Sequence, residues 1–391
     1  MANRKLRSVR ERLGRLSIIC FVTWIALVSL CASGQDATPA AAIALENQGK
    51  LTEAADVWRA VTQKNPGDAS AFASLGIVLS KEQKYQEAAA AYEKALSLDP
   101  KLPGIRMNLG LAEFKRGRFE AAIPAFRAVL SGDPRNMQAT TLLGLSCYGA
   151  RRFAEAAKYL EAAAKLDPAN AELREVLAQS CLWARKYSCA LDEFRRILQQ
   201  NPNSAAAHIL MGEALDGLQK TPEAIAEFQA AEKASPDEPN VHFGLGYLYW
   251  KSHQYDEAEG EFQRQLAIDP NHAQALAYLG DIKMKRLNLD DAVSLLRKAV
   301  STKDNVRLAY LDLGAILMEQ KHYDEALAML RQAVKLDGTQ PDAHYRLARV
   351  YQAMGNTADA QKEFAEVHEL HRKADEPLAS KISDSPPPLP Q

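Results

Sequence analysis

The sequence predicts an all-α chain, a solenoid of about ten helical hairpins, and three series of residues carry that prediction. Ala54, Ala88, Ala122, Ala156, Ala190, Ala224, Ala258, Ala292, Ala326 and Ala360 recur every 34 residues without exception. Pro66, Pro100, Pro134, Pro168, Pro202, Pro236 and Pro270 keep the same step. So do Gly76, Gly110, Gly144, Gly212, Gly246, Gly280 and Gly314, with Ala178 and Ala348 in the two remaining slots. Three series in one register mark an array of a single repeated unit. An array of this kind buries its apolar faces between neighbours and offers a surface, and rarely a catalytic centre.

Each unit reads as two short helices. From Tyr85 to Asp99, Ala88, Tyr92, Ala95 and Leu96 recur at three- and four-residue steps, the period of an amphipathic helix. From Ala69 to Ser80, Phe72, Leu75, Gly76 and Leu79 form a second stripe, and the polar run 81–84 joins the two. Gly76 and Ala88 let the paired backbones approach closely, so a large side chain there costs roughly 1–3 kcal/mol of overpacking. The Asp-Pro pairs at Asp99, Asp133, Asp167 and Asp269 end the second helix, because proline lacks the N–H and restricts the residue before it. Asp304 and Gly338 take that slot in later units. Asp256 and Asp324, each followed by Glu and Ala, read as N-caps of second helices. Pro124 falls near the first turn of its helix, where it is tolerated.

A 34-residue hairpin with Gly or Ala at position 8, Ala at 20, an aromatic or Leu at 24 and Pro at 32 resembles the tetratricopeptide repeat. Position 24 is Trp58, Tyr92, Phe126, Leu160, Phe194, Phe228, Phe262, Leu296, Leu330 and Phe364. Ten units then span 35–374, starting at Gln35 and ending with the unit that opens at Pro341. The resemblance implies a right-handed superhelix whose first helices line a concave groove with positions 2, 5, 9, 12 and 13.

The ends of the chain are different material. Arg4, Lys5, Arg7, Arg10, Arg12 and Arg15 precede a mostly apolar run, Leu16 to Cys31, followed by Ala32-Ser33-Gly34. This reads as a secretory signal cleaved before the first repeat, or as an uncleaved membrane anchor. Either places the repeats outside the cytoplasm, periplasmic or secreted in the first case and anchored at the inner membrane in the second. A lipoprotein site at Cys31 is disfavoured by the large Leu30 before it. At the far end, helical pattern persists to about Lys373 as a polar capping helix, and 375–391 is a proline-rich tail expected to be disordered.

The whole chain carries 48 Lys+Arg against 49 Asp+Glu; residues 1–34 hold six and one of these, leaving 42 against 48, a net of −6. An acidic array lacks the basic footprint of a nucleic-acid binder. Beyond residue 34 the cysteines are Cys147, Cys181 and Cys189. Cys181 and Cys189 face each other near one hairpin turn, within reach of a disulfide in an oxidising compartment. Cys147 and Cys181, both at position 11, equally suit the role of small core residues.

Catalytic and cofactor signatures are absent: no Walker loop, GxSxG elbow or HExxH occurs. His368 and His371 share a helix face but lack a third ligand. His208, His242, His253, His272, His322 and His344 show no ligand pattern, and Glu172, Glu175, Glu213 and Asp216 read as a polar helix face. The sequence therefore predicts a non-enzyme without cofactor or metal.

One tetratricopeptide subfamily clamps a C-terminal carboxylate with Lys at position 5 and Asn at position 9. This chain departs from it, since position 5 includes Met107, Thr141, Glu175, Ile209 and Phe243, and position 9 includes Leu111, Leu145, Gln179, Glu213, Tyr247 and Asp281. The groove positions instead give two apolar blocks. Met107, Leu111 and Phe114 adjoin Leu145 and Tyr148; Phe243, Tyr247 and Trp250 adjoin Tyr278 and Met284, with the acidic Glu175, Glu213 and Asp216 between the blocks. Exposed aromatic anchors carry interface energy, although the same rings also suit packing against the next unit. The expected function is a scaffold that binds a peptide or helix of a cell-envelope partner in the groove. A structural spacer or self-assembling subunit, or an accessory subunit of a secretion or glycan-processing enzyme, are the alternatives.

Overall fold

The computed structural model describes residues 37–303 and 305–375. The signal or anchor segment 1–34, Asp304 and the tail beyond 375 lie outside the described residues. Twenty α-helices are found among them, paired as ten hairpins. They fall into two compact units, residues 1–180 and 181–391.

In the first unit the helices are α1 (Pro39–Asn47), α2 (Leu51–Lys64), α3 (Ala69–Lys81), α4 (Tyr85–Leu98), α5 (Ile105–Lys115), α6 (Phe119–Gly132), α7 (Met137–Gly149), α8 (Phe153–Leu166) and α9 (Ala171–Trp183), which runs past the unit boundary. In the second they are α10 (Tyr187–Gln200), α11 (Ala205–Gly217), α12 (Thr221–Ala234), α13 (Val241–Lys251), α14 (Tyr255–Ile268), α15 (Ala273–Lys285), α16 (Leu289–Thr302), α17 (Arg307–Glu319), α18 (Tyr323–Leu336), α19 (Pro341–Ala353) and α20 (Thr357–Asp375). Inside each unit a second helix packs on its own first helix and on the next one, and successive first helices also touch. No described helix is long and apolar enough to cross a membrane.

The invariant alanines of position 20 are fully buried, from Ala54 to Ala326 at 0% exposure. The glycines of position 8 make room chiefly for the side chain at position 24, rather than for the alanine. A Cβ on Gly76 would stand 2.4 Å from the Tyr92 ring, and one on Gly110 2.7 Å from Phe126.

Helix starts differ from the expectation. Asp256 and Asp324 lie within the first turns of α14 and α18, whose N-cap positions, Gln254 and His322, make no side-chain cap bond. Where a first helix after α1 has a side-chain cap, the capping residue sits at position 34. Asp68 accepts from the Ser70 and Ala71 N–H groups, Asn136 from Ala139, Ser204 from Ala207 and His272 from Ala275. The Asp of each Asp-Pro pair has extended backbone at Asp99 and Asp269, and its carboxylate accepts a turn N–H, as from Lys101 and Asn271. Pro124 is the sixth residue of α6, deeper than its first turn, and the helix runs on at the loss of about one ladder hydrogen bond.

Every hairpin turn has one left-handed residue at position 15. Gly49, Gly117 and Gly355 occupy it in three units, and Gln83, Arg151, Arg185, Gln219, His253, Leu287 and Lys321 in the others. The turn closes as a Schellman motif, with Lys84 N–H donating to the Leu79 carbonyl at 2.9 Å.

Cys181 and Cys189 are joined by a disulfide across the turn between α9 and α10, with Cα atoms 5.8 Å apart. Cys147 is a free, buried thiol whose pKa burial pushes up to about 11. It is a core residue with little thiolate character.

Candidate functional site

All ten groove candidates are half-buried. None is sealed in the core and none stands free, so what separates them is the company each keeps.

In the first unit, Phe114 turns its ring onto Phe119 of its own hairpin, with centroids 5.5 Å apart, and Tyr148 does the same with Phe153 at 6.0 Å. Both contacts are edge-on and join position 12 to position 17. The Tyr148 hydroxyl also donates to Gln179 at 2.5 Å. These two aromatics are committed to structure. Met107, Leu111 and Leu145 remain as an aliphatic strip on α5 and α7.

In the second unit the rings form a continuous cluster on α13 and α15. Tyr278 lies at its centre, 4.8 Å from Trp250, 5.7 Å from Tyr247, 6.0 Å from Phe243 and 5.6 Å from the buried Phe262. Burial, then Tyr247 and Asp281, pushes the Tyr278 hydroxyl up to about 12. Offset and edge-on ring pairs of this kind add about 0.5–1.5 kcal/mol each beyond their area. Met284, on the far end of α15, packs on the apolar core that α15 shares with α17 rather than within the ring cluster.

The cluster stands on buried charges. Trp250 Nε1 donates to Asp281 at 2.6 Å, and Lys285 pairs with the same carboxylate while lying 5.6 Å above the Trp250 ring. Behind it on α17, Asp312 is 2% exposed, and one of its carboxylate oxygens has no hydrogen-bond partner. Burial and the neighbouring Asp281 push the Asp312 carboxyl up to about 7, with Arg346 and Lys285 opposing. Tyr148 to Gln179 and Trp250 to Asp281 are the same bond, from position 12 of one unit to position 9 of the next. That 31-residue step is visible in the sequence once both positions are read together.

A pocket of about 180 Å³ opens beside the cluster between α11 and α13, lined by Ile209, Glu213, Asp216, Phe228, Asn240, Phe243, Gly244, Tyr247 and Leu248. Lys251 pairs with Asp216 at 2.7 Å, and that hydrogen bond raises the lysine's pKa. Of the acidic stretch, Glu213 and Asp216 thus reach the groove wall of this unit. Glu175, on α9, lies instead in the first unit, where Gln179 donates to it at 3.4 Å.

The histidines do have a pattern. His208, His242 and His344, all at position 4, bond Glu227, Glu261 and Glu363, all at position 23, at 2.6, 2.8 and 2.6 Å. These pairs tie the two helices of a hairpin together. Glu232 joins one of them, bringing Glu232, His242 and Glu261 within the span of a metal ion. Arg264 already bonds Glu232 at 3.0 Å and Glu261 at 3.1 Å, and this cation serves as the carboxylates' partner. His368 and His371 are exposed, and the intervening Glu369 pairs with Arg372.

Comparison with known proteins fits this geometry. Tetratricopeptide repeat models match residues 107–171, 148–214, 184–245, 249–315 and 317–381, and a tetratricopeptide repeat protein 21 C-terminal ARM domain model matches 40–138. The chain belongs to the tetratricopeptide repeat family, whose members are generally non-catalytic scaffolds for protein–protein interaction. No curated protein matches the sequence. Among solved structures, the Cut9–Hcn1 hetero-tetramer of the APC/C is similar in fold, with 16% identity over 88% of this chain and 81% of that one, and a TM-score of 0.52. Yeast Tom70 shares 14% identity over 88% of this chain and 98% of its own, with a TM-score of 0.40. YrrB, described as having an unusual peptide-binding site, shares 21% identity over 49% of this chain and 98% of its own, with a TM-score of 0.37.

Proposed function

We propose that the chain is a non-enzymatic scaffold, exported by its N-terminal segment, that holds an extended or helical segment of a cell-envelope protein against the first helices of its second unit. The observation that carries this reading is the aromatic cluster of α13 and α15. Its rings are held by one another and by Asp281, yet remain half-exposed on the first-helix face. Fixed rings lose little entropy when a ligand covers them, which is what makes an anchor effective. Phe243 and Tyr247 both border the cluster and the pocket, and since Phe243 also packs on Phe262 and His272, Tyr247 is the better placed to touch a partner.

The test is chemical crosslinking of the full chain in a native envelope fraction, with Tyr247→Ser beside it. Trp250 is a poorer choice, because its loss leaves Asp281 without its indole donor. The variant must first show the parent's helix content and a cooperative melt, whose midpoint the lost Tyr247 ring contacts lower. A partner captured by the parent and lost by the variant supports the groove reading. Equal capture by both moves the binding surface elsewhere and sinks it.

A further inference from the structure

The pocket between α11 and α13 has a chemistry of its own. Three rings wall it, Phe228, Phe243 and Tyr247, and two carboxylates stand at it, Glu213 and Asp216. Phe228 is seated by two glycines: a Cβ on Gly212 would come 2.7 Å from its ring, and one on Gly244 2.1 Å. Gly244 thus keeps the base of the pocket open to the ring where a side chain would cover it.

The two carboxylates differ in what balances them. Asp216 has Lys251 at 2.7 Å. Glu213 has no such partner: the surrounding walls raise its carboxyl above the usual range, and no neighbouring cation opposes that rise. It remains open to solvent at the mouth. A solvent-facing carboxylate at the edge of an aromatic pocket and without a counter-ion is complementary to a cation whose stem enters that pocket. Ring faces are also attractive to cations, through their quadrupole.

Size narrows the ligand. Pockets for drug-sized molecules and cofactors run to about 300–1,000 Å³. At about 180 Å³ this one suits a single side chain. A guanidinium is planar, weakly hydrated and stacks on aromatic faces, whereas an ammonium is compact and strongly hydrated.

We propose that this pocket receives one arginine side chain of the partner segment, its guanidinium on Glu213 and its stem against Phe228, Phe243 and Tyr247. The proposal rests on the groove reading above and adds the chemistry of the partner: an extended segment with an arginine at the position that meets α11.

Fluorescent nonapeptide pools, degenerate except for a fixed central arginine, citrulline or leucine, separate the two readings. Citrulline keeps the shape of arginine and lacks its charge. Binding is read by anisotropy on the full chain, on Glu213→Gln and on Tyr247→Ser, each shown by circular dichroism to be folded at the assay temperature. The arginine pool is expected to bind the parent about tenfold tighter than the citrulline pool. Glu213→Gln should erase that preference and leave citrulline binding as it was, while Tyr247→Ser weakens both pools. If arginine and citrulline bind alike, if leucine binds tightest, or if the preference survives in Glu213→Gln, the arginine assignment is wrong. In those cases, loss of all binding in Tyr247→Ser would still leave the groove reading standing. If no pool binds the parent, both readings fall together.

Discussion

The aliphatic strip of α5 and α7 and the ring cluster of α13 and α15 share positions 5 and 9 of the same repeat in different units, and the cluster adds Trp250 at position 12 and Tyr278 at position 6. Their fates diverge because of their neighbours. At position 12, Phe114 and Tyr148 find an aromatic at position 17 of their own hairpin and fold down onto it. Trp250 also has an aromatic at position 17, Tyr255, which pairs with His253 instead. It packs on Tyr278 and Asp281 of the next unit. The repeat register decides which face a residue joins. Whether that residue becomes wall or anchor depends on one or two side chains across the turn or in the next hairpin.

The sharpest way to break this contrast is to truncate one residue in each block. Tyr278 touches four rings, and Tyr278→Ala should cost about 2–4 kcal/mol, near the range for large aromatic truncations. Leu111 is half-buried without such contacts, and Leu111→Ala should cost about 1 kcal/mol or less. Urea unfolding followed by far-UV circular dichroism measures both. Equal losses would mean that the cluster is no more tightly built than the strip.

A second test uses the carboxylates beneath the cluster; the position that Asp281 holds there is Leu145 and Gln179 in the first block. Asp312 titrates near 7 in the folded chain against about 3.9 unfolded, so the folded state holds the extra proton between those values. The group's pKa is raised on folding, so its contribution is greatest at low pH and is lost as pH rises through about 7. Between pH 5 and pH 8 the parent should lose about 1–3 kcal/mol from this group. Asp312→Asn keeps the shape without the titration, and its stability relative to the parent should improve up to about pH 7 and level off above it. A constant offset between the two across pH would show that Asp312 does not hold a proton in the folded state.

The fold was legible because steric needs repeat at one interval. Each position-20 alanine and each position-24 ring or leucine answers the same close approach, and ten copies average out local exceptions. The caps were misassigned for a definite reason. Asp256 and Asp324 resemble caps by residue type, whereas the bonding caps at position 34 belong, in sequence, to the end of the preceding unit. Phe243, Tyr247 and Trp250 of the ring cluster could be drawn from groove positions, whereas its centre, Tyr278, sits at position 6, outside them. The cluster's charged footing on Asp281 and Asp312 could not, because it needs pairs 31 residues apart. The histidine–glutamate ties were hidden in the same way, since a step of 19 residues matches no helical or strand period.

The smallest effect bears on both units equally and tests whether their frames are alike. Position 15 is left-handed in every hairpin, including those with Arg151 and Leu287. A side chain with a Cβ is strained there, by about 1 kcal/mol relative to glycine. Leu287 is 83% exposed, so replacing it removes little packing. Arg151→Gly in the first unit and Leu287→Gly in the second should therefore each stabilise the chain, by about 0.5–1 kcal/mol, despite the greater freedom glycine gives the unfolded state. Stabilisation in one unit alone would mean that the two hairpin turns differ, and that the divergence between the blocks begins in the backbone rather than in the side chains it carries.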